Sequence, residues 1–277
     1  MGKQMEFNQE AMDMLRATSR TFFIPINRLP AGLKEAVASS YLCMRAIDEI
    51  EDHPRLSSEA KVDLLRSVGA ILEKSGGDME LRTAFDSHQS VLPEVTLRMG
   101  EWAGLAPPSV QSIVYEKTAT MAKGMADWVS KGWNIHTEED LDQYTFYVAG
   151  LVGLLLNDLW EWYDGTKADR QLAVGYGRGL QAVNIVRNRK EDLARGVDFF
   201  PDGWEWEEMF SYARRNLAMA DDYTNRIESK PILDFCKIPL TLAHGTLRAL
   251  EAGKTKLSRD AVKRLVRKIT GEYSESY

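Results

Sequence analysis

Apolar residues along this chain recur mostly three and four positions apart, the spacing that places side chains on one face of an α-helix. Alternating β-branched runs bounded by tight turns, which would predict strands, are scarce. The pattern therefore predicts an all-α protein. The predicted helices cover residues 8–18, 31–52, 58–74, 78–87, 91–104, 109–131, 138–163, 167–194, 205–228, 232–251 and 257–270, with ends placed to within about two to four residues.

Proline, glycine and serine mark several predicted helix ends, but they form no linker that would divide the chain into domains. "RLPAG" and "HPRLSS" flank the second predicted helix, and Ser109, after "APP", is a candidate N-cap for the helix 109–131. In "YVAGLVG", Ala149 and Gly153 lie four positions apart, which predicts close approach of a neighbouring helix. No long Gly/Ser linker or low-complexity tract is present, so a single domain covering 1–277 is predicted.

Composition narrows the class of protein. The chain has 277 residues, 44% apolar and 27% charged, which is ordinary for a soluble globular protein. No apolar run approaches the roughly 20 residues that a membrane-spanning helix needs, and the N-terminus has no cleavable apolar region. We therefore expect a cytoplasmic protein.

Charge and metal-binding side chains exclude several function classes. A net charge of −6 disfavours a nucleic-acid surface. The segment "KTKLSRDAVKRLVRK" is basic and amphipathic; we expect a solvated helix there, with peripheral contact to an anionic membrane as the alternative. Cys43 and Cys236 lie within apolar patterns and are expected in the core, while the scattered histidines do not support a zinc site or a hydrolytic triad.

One acidic cluster ends an apolar helical stripe. In "AVASSYLCMRAIDEIEDHP", the residues Val37, Tyr41, Met44, Asp48 and Asp52 share one face. A solvated acidic helix end is the simple interpretation, but carboxylates at the end of a core-facing stripe are costly unless something neutralises them. Carboxylates one turn apart suit Mg²⁺, which binds typically through one or two carboxylates and substrate phosphates. The stripe therefore favours a magnesium site.

A second cluster could complete that site. "AVNIVRNRKED" places Asn184, Asn188 and Asp192 four apart, with Arg187 and Glu191 beside them. If this helix faces the first, its acids and amides would supply further ligands around one metal-diphosphate group.

Four stretches carry a resemblance to a known family. In order, they are "SRTFF" at 19–23, "CMRAIDEIED" at 43–52, "YVAGLVG" at 147–153 and "GLQAVNIVRNRKEDLARGVDFFP" at 179–201. The chain resembles the squalene/phytoene synthase family, the head-to-head trans-prenyl-diphosphate synthases, over roughly residues 10–250. The resemblance implies a single large helical bundle of the isoprenoid synthase type, with a central apolar cavity and Mg²⁺ and diphosphate bound at its mouth.

The resemblance also implies roles for individual residues. Implied metal ligands are Asp48 and Asp52, with Glu51 supporting them, and Asn188, Glu191 and Asp192. Implied substrate-binding residues are Ser19, Arg20, Arg45, Gln181, Asn184 and Arg187. The implied catalytic residues are Asp48, Asp52, Asp192 and Tyr147. Prenyl diphosphate is the implied substrate, and NADPH would enter only if the reaction includes a squalene-type reduction.

One position departs from the family pattern. Asn188 stands where the family's second motif normally begins with aspartate, and a neutral amide is a weaker Mg²⁺ ligand than a carboxylate. A weakened site could still ionise one allylic diphosphate, with water then capturing the cation. This favours slightly a phosphatase that releases a prenyl alcohol from farnesyl diphosphate, resembling known farnesyl-diphosphate phosphatases. The alternatives are head-to-head condensation to a squalene-, dehydrosqualene- or phytoene-like product, and a noncatalytic scaffold. Oligomeric state and prenyl length stay open.

Overall fold

α-Helices make up most of the described part of the chain, and no strand occurs there. The computed structural model describes residues 2–255 and 257–270, apart from the side chains of residues 2–8, 20, 259 and 270. The helices are α1 Gly2–Thr18, α2 Arg20–Asn27, α3 Leu33–Glu51, α4 Ser58–Glu73, α5 Asp78–Phe85, α6 Glu94–Leu97, α7 Met99–Ala103, α8 Gln111–Ser130, α9 Glu138–Thr145, α10 Leu151–Asp164, α11 Arg170–Ala194, α12 Trp206–Asn225, α13 Lys230–Glu251 and α14 Arg259–Thr270. A 3₁₀ turn covers Asp86–His88, and a π-helical turn covers Phe146–Gly150. The all-α prediction is confirmed.

Several helix ends follow from capping side chains. Ser57 precedes α4 and accepts a hydrogen bond from the Ala60 amide at 3.2 Å. Asp169 precedes α11, and its carboxylate accepts hydrogen bonds from the amides of Gln171 and Leu172. These caps satisfy backbone donors that have no partner inside the helix.

The structure corrects the prediction at four places. A helix at Arg20–Asn27 was not predicted, and the predicted helix 91–104 is two short helices, α6 and α7. The predicted helix 138–163 is interrupted by the π-helical turn. Ser109 is not an N-cap: α8 begins after Val110, and the Ser109 hydroxyl instead accepts a hydrogen bond from Trp162 Nε1 at 3.2 Å.

The chain divides into two compact units. Unit 1 contains residues up to Trp133 together with Glu161–Tyr163. Its central element is α3, which packs against α1, α2, α4, α6, α7 and α8. Cross-links such as the hydrogen bond from Ser39 Oγ to the Trp102 carbonyl, 2.7 Å, fix α3 in this core.

Unit 2 contains Asn134–Trp160 and the residues from Asp164 onward. Its central element is α11, which packs against α9, the π-helical turn, α12 and α13, while α14 packs on α13. The prediction of one domain over 1–277 stays a prediction.

Two further features bear on the predicted class of protein. Cys43 and Cys236 are both free and buried, which confirms their predicted place in the core, and burial raises the pKa of each thiol. None of the helices in residues 2–255 and 257–270 combines the length and apolar character that crossing a lipid bilayer requires.

Candidate active site

The first acidic cluster lies where the apolar stripe of α3 reaches solvent. Val37 and Met44 are buried, Tyr41 and Asp48 are half-buried, and Asp52 is exposed. The stripe therefore runs from the core to the surface along one helix face, as its spacing predicts. Its two carboxylates lie at the rim of a buried surface.

Arg45 joins two carboxylates of the same helix. Its guanidinium donates Nη1–H to Asp48 and Nη2–H to Glu49. Burial alone would lower the pKa of Arg45, but the carboxylates of Asp48 and Glu49 together raise it. The Nε atom of Arg45 is buried and has no hydrogen-bond partner among the described residues. This donor could serve a phosphate oxygen, which fits the diphosphate-binding role implied for Arg45.

Tyr41 lies on the same face of α3 and interacts with two of the predicted site residues. The Tyr41 hydroxyl is hydrogen-bonded to the Ser19 side chain and lies within the influence of the Arg45 and Asp48 charges. Burial raises the pKa of Tyr41, while the Ser19 hydrogen bond and the Arg45 charge oppose that rise. Ser19 also caps α2, because its Oγ accepts a hydrogen bond from the Phe22 amide at 3.1 Å. Ser19, Arg45 and Asp48 thus all affect a tyrosine that spacing alone marked only as part of an apolar stripe.

Asp48 and Asp52 form a donor set that fits Mg²⁺. The Asp48 side chain is 33% exposed, and burial followed by the Asp52 charge raises its pKa, which Arg45 opposes. A divalent cation would relieve the repulsion between the two carboxylates. No group of three or more His, Cys, Asp or Glu side chains within the described residues is placed to hold a metal ion by itself. Mg²⁺ does not need such a group, because waters and substrate phosphates complete its coordination.

Glu51 is buried next to these two carboxylates. Its side chain is 3% exposed, and Oε1 accepts a hydrogen bond from Trp133 Nε1 at 2.8 Å. Burial raises the pKa of Glu51 to about 8, and the hydrogen bond from Trp133 opposes that rise. This position fits a supporting role better than direct metal binding. Nothing in the sequence pattern links Trp133 to Glu51, since the two are 82 positions apart.

The second cluster occupies the polar face of α11. Gln181, Asn184 and Asn188 are half-buried, Glu191 is exposed and Asp192 is buried. Their spacing of three and four places them on one face, while the apolar positions between them are buried in the core of unit 2. The predicted ladder of amides and acids is therefore present on one helix face, and it runs from half-buried amides to the buried carboxylate of Asp192.

Arginines contact two members of this stripe, Asn188 and Asp192. Asp192 is 7% exposed and accepts a hydrogen bond from Arg195 Nη2 at 2.5 Å, a pairing the sequence analysis missed. The Asn188 amide oxygen accepts a hydrogen bond from Arg187 Nε at 3.0 Å. The Asp192 charge is thus partly neutralised by Arg195, the C-cap of α11, and Asn188 contributes a dipole without charge. Their roles as metal ligands stay predictions.

Tyr147 lies on the π-helical turn Phe146–Gly150. It is half-buried and meets Phe146 edge to face, with ring centroids 5.4 Å apart. A π-helical turn inserts one extra residue into a helix and occurs often at functional sites. The predicted catalytic residue Tyr147 therefore lies within an irregular turn of the backbone. The spacing of apolar residues did not indicate the extra residue in this turn.

Glycines allow α11 to approach this turn and α10 closely. A Cβ at Gly153 would lie 1.9 Å from the Ala173 carbonyl oxygen. A Cβ at Gly177 would lie 2.1 Å from the Ala149 carbonyl oxygen. Both distances are far below any van der Waals contact, so the prediction of close helix approach at Ala149 and Gly153 is confirmed.

The predicted site residues therefore form two described groups. Ser19, Arg45, Asp48 and Asp52 belong to unit 1, and Tyr147 and the α11 stripe belong to unit 2. The Arg20 side chain lies outside the described residues. A cavity of about 300 Å³ in unit 1, beside α1 and α3, is lined by none of the predicted site residues. The predicted central apolar cavity, and the binding of one diphosphate by both groups, stay predictions.

Asn188→Asp tests whether position 188 belongs to a metal site. The added charge should strengthen Mg²⁺ binding in the presence of inorganic diphosphate by roughly 1 kcal/mol, or about fivefold. Titration calorimetry measures this change. Asn225→Asp, the same charge change at an exposed position of α12, is the control. An unchanged Mg²⁺ affinity, or an equal gain in the control, would remove position 188 from the site.

Comparison with known proteins gives consistent matches. The model of the squalene/phytoene synthase family matches residues 15–205. Squalene synthase of Schizosaccharomyces pombe is 28% identical over 268 residues, covering 86% of this chain and 58% of the relative. Squalene synthase BSS of Botryococcus braunii is 32% identical over 270 residues, covering 85% of this chain and 57% of the relative. The chain thus spans a little over half the length of these relatives.

Solved structures show the same fold. A complex of TcSQS with the ligand E5700 superposes with a TM-score of 0.78 at 24% sequence identity, covering 95% of this chain and 85% of that one. At this identity the likeness concerns the fold alone, and it confirms the predicted helical fold of the isoprenoid synthase type. These matches favour head-to-head prenyl transfer and lend no support to the slight preference for a phosphatase.

Proposed function

Because this chain belongs to the squalene/phytoene synthase family, we propose that it joins two molecules of an allylic prenyl diphosphate head to head. Farnesyl diphosphate is the proposed substrate, since the relatives at 28% and 32% identity are named squalene synthases. The observation that carries the proposal is the cluster at the end of α3. There, two carboxylates one turn apart lie beside a half-buried arginine, Arg45, whose buried Nε is unpaired among the described residues.

The residues of unit 1 have complementary tasks in this reaction. Asp48 and Asp52 would hold Mg²⁺, and Arg45 would bind the diphosphate through its Nε while its other nitrogens orient Asp48 and Glu49. Ser19, the N-cap of α2, is hydrogen-bonded to the Tyr41 side chain, whose hydroxyl lies within the influence of the Arg45 charge. Mg²⁺, when bound, would stabilise the negative charge on the departing diphosphate.

The α11 stripe would serve the second half of the reaction. Head-to-head condensation ionises one molecule for attack by the other, and then ionises the cyclopropyl intermediate. Gln181 and Asn184 offer neutral donors and acceptors, while Arg187 and Asp192 supply charge at the end of the helix. Asn188 keeps an oxygen ligand at its position, with Glu191 and Asp192 as the neighbouring carboxylates. On this proposal a reduced charge at position 188 is tolerated.

Product analysis tests the proposal. The protein is incubated with farnesyl diphosphate and Mg²⁺, with and without NADPH, and the products are separated by chromatography. We expect a condensation product, either a hydrocarbon or its cyclopropyl diphosphate precursor, and no turnover when Mg²⁺ is chelated. The paired reactions with and without NADPH show whether a reduction is part of the activity.

Two other outcomes of this product analysis would overturn the proposal of head-to-head condensation. Farnesol as the main product would favour the phosphatase that Asn188 first indicated. A chain that turns over no prenyl diphosphate of any length would favour the noncatalytic scaffold. Retention of clustered charges at the end of α3 argues against the scaffold, because such charges destabilise a helix end unless they serve a ligand.

A further inference from the structure

The C-terminal end of α3 is fixed by contacts from other segments of unit 1. Trp133 donates its indole N–H to Glu51 Oε1 at 2.8 Å, and Lys61 Nζ donates to the Glu51 carbonyl oxygen at 2.6 Å. The Lys61 ammonium also lies over the Trp133 ring, 5.2 Å from its centroid. On the next turn of chain, His53 Nε2 lies 3.0 Å from the Val91 carbonyl oxygen. Glu51 is therefore held through both its side chain and its backbone.

Trp133 has an unusual backbone conformation. Its φ is +52°, directly after Gly132 with φ +65°, at the end of α8. A bulky residue in the left-handed region costs about 1–3 kcal/mol and persists only where surrounding contacts require it. A glycine would make this turn without strain. The side chain therefore explains why tryptophan occupies the position, and the polar contact it makes is with Glu51.

We propose that Trp133 is a positioning residue for the first acidic motif. By holding Glu51, it fixes the last turn of α3, on which Asp48 and Asp52 are carried. Helix ends fray because their last carbonyls lack partners within the helix. A metal site needs its ligands held closely, and removing an outer partner of a ligand typically weakens metal binding 10–100-fold. The inference rests on the proposed function, because it takes Asp48 and Asp52 as ligands.

Trp133→Phe is the main test. Phenylalanine keeps a ring beside Lys61 but removes the indole N–H. We expect the dissociation constant for Mg²⁺ with inorganic diphosphate, measured by titration calorimetry without turnover, to rise about tenfold. Trp162→Phe is the matched control, since it removes an indole hydrogen bond to Ser109 elsewhere in unit 1. An unchanged constant in Trp133→Phe, even with a lower melting temperature, overturns the proposal.

A double-mutant cycle tests the route through Glu51. Glu51→Met keeps much of the length of the buried side chain but removes the acceptor for Trp133. If Trp133 acts through Glu51, the double variant should bind Mg²⁺ and diphosphate no more weakly than the weaker single variant. Fully additive losses would mean that the two side chains act independently, and would overturn the proposal.

Hydrogen exchange separates this inference from the proposed function. In the metal-free protein, amides of residues 49–53 should exchange faster in Trp133→Phe than in Trp162→Phe or the wild type. Absence of Mg²⁺-diphosphate binding by the wild type would refute the proposed function alone. Unchanged exchange at residues 49–53 would show that Trp133 does not fix this helix end, and would overturn the positioning role whatever the metal does.

Discussion

Asp48→Asn is expected to lower the turnover of farnesyl diphosphate by about a thousandfold. The substitution preserves shape but removes the carboxylate charge that, on the proposed function, would bind the metal beside Arg45 and Asp52. Metal stabilisation of a leaving group contributes several kcal/mol, and a loss of about 4 kcal/mol corresponds to roughly a thousandfold in rate. Steady-state kcat at saturating Mg²⁺ measures the effect. Asp52→Asn should behave in the same way.

The control for this prediction is Asp63→Asn, on the exposed side of α4 in the same unit. It makes the same chemical change and should leave turnover within about twofold of wild type. Circular dichroism of each variant verifies that the helices are retained. Turnover of Asp48→Asn within tenfold of wild type would contradict the assignment of Asp48 to the metal-diphosphate site.

Gly153→Ala is expected to destabilise the protein by about 3 kcal/mol. The added Cβ would lie 1.9 Å from the Ala173 carbonyl oxygen, so α10 and α11 would have to separate. Overpacking of a tight contact usually costs about 1–3 kcal/mol, and a clash with backbone lies at the upper end because the neighbour cannot rotate away. Urea unfolding monitored by circular dichroism measures the loss. Gly177→Ala, 2.1 Å from the Ala149 carbonyl oxygen, should cost a similar amount.

Gly104→Ala provides the comparison for the glycine variants. There the added Cβ would meet nothing closer than 3.4 Å, and φ is −73°, which alanine adopts without strain. Its effect on the free energy of unfolding should lie within about 0.5 kcal/mol. If Gly153→Ala and Gly104→Ala unfold at the same urea concentration, the close helix approach at Gly153 does not contribute to stability.

Long helices could be predicted here because each buries one face, which imposes the 3.6-residue period on the sequence. For the same reason α3 could be assigned a stripe that ends in Asp48 and Asp52. α2 was missed because Pro25 lies inside it, and an internal proline ordinarily argues against a helix. Ser109 was misassigned because its hydroxyl bonds Trp162, a partner 53 positions away that local spacing cannot reveal.

The candidate site residues likewise include some that local spacing predicts and some contacts that it does not. Charged and amide side chains at fixed helical spacing were visible as a pattern, and the motif order carried the family resemblance. Three contacts made by candidate site residues were not predicted: Trp133 with Glu51, Tyr41 with Ser19 and Arg195 with Asp192. The first two join separate segments, and the third depends on how α11 ends. Tertiary packing decides the first two pairs, of which a single sequence holds no direct record, whereas Arg195 and Asp192 lie three positions apart and their spacing alone could have indicated the third.

The π-helical turn before α10 sets the rotation of α10 about its axis relative to α9. An ordinary α-helix advances about 100° per residue, so deleting one residue from Phe146–Gly150 and restoring regular winding would turn α10 by about that angle relative to α9. Gly153 would then face away from Ala173, and a bulkier neighbour would meet the carbonyl oxygen instead. The one additional residue in the turn therefore determines which face of α10 meets α11, and places Gly153 where the two backbones approach closely.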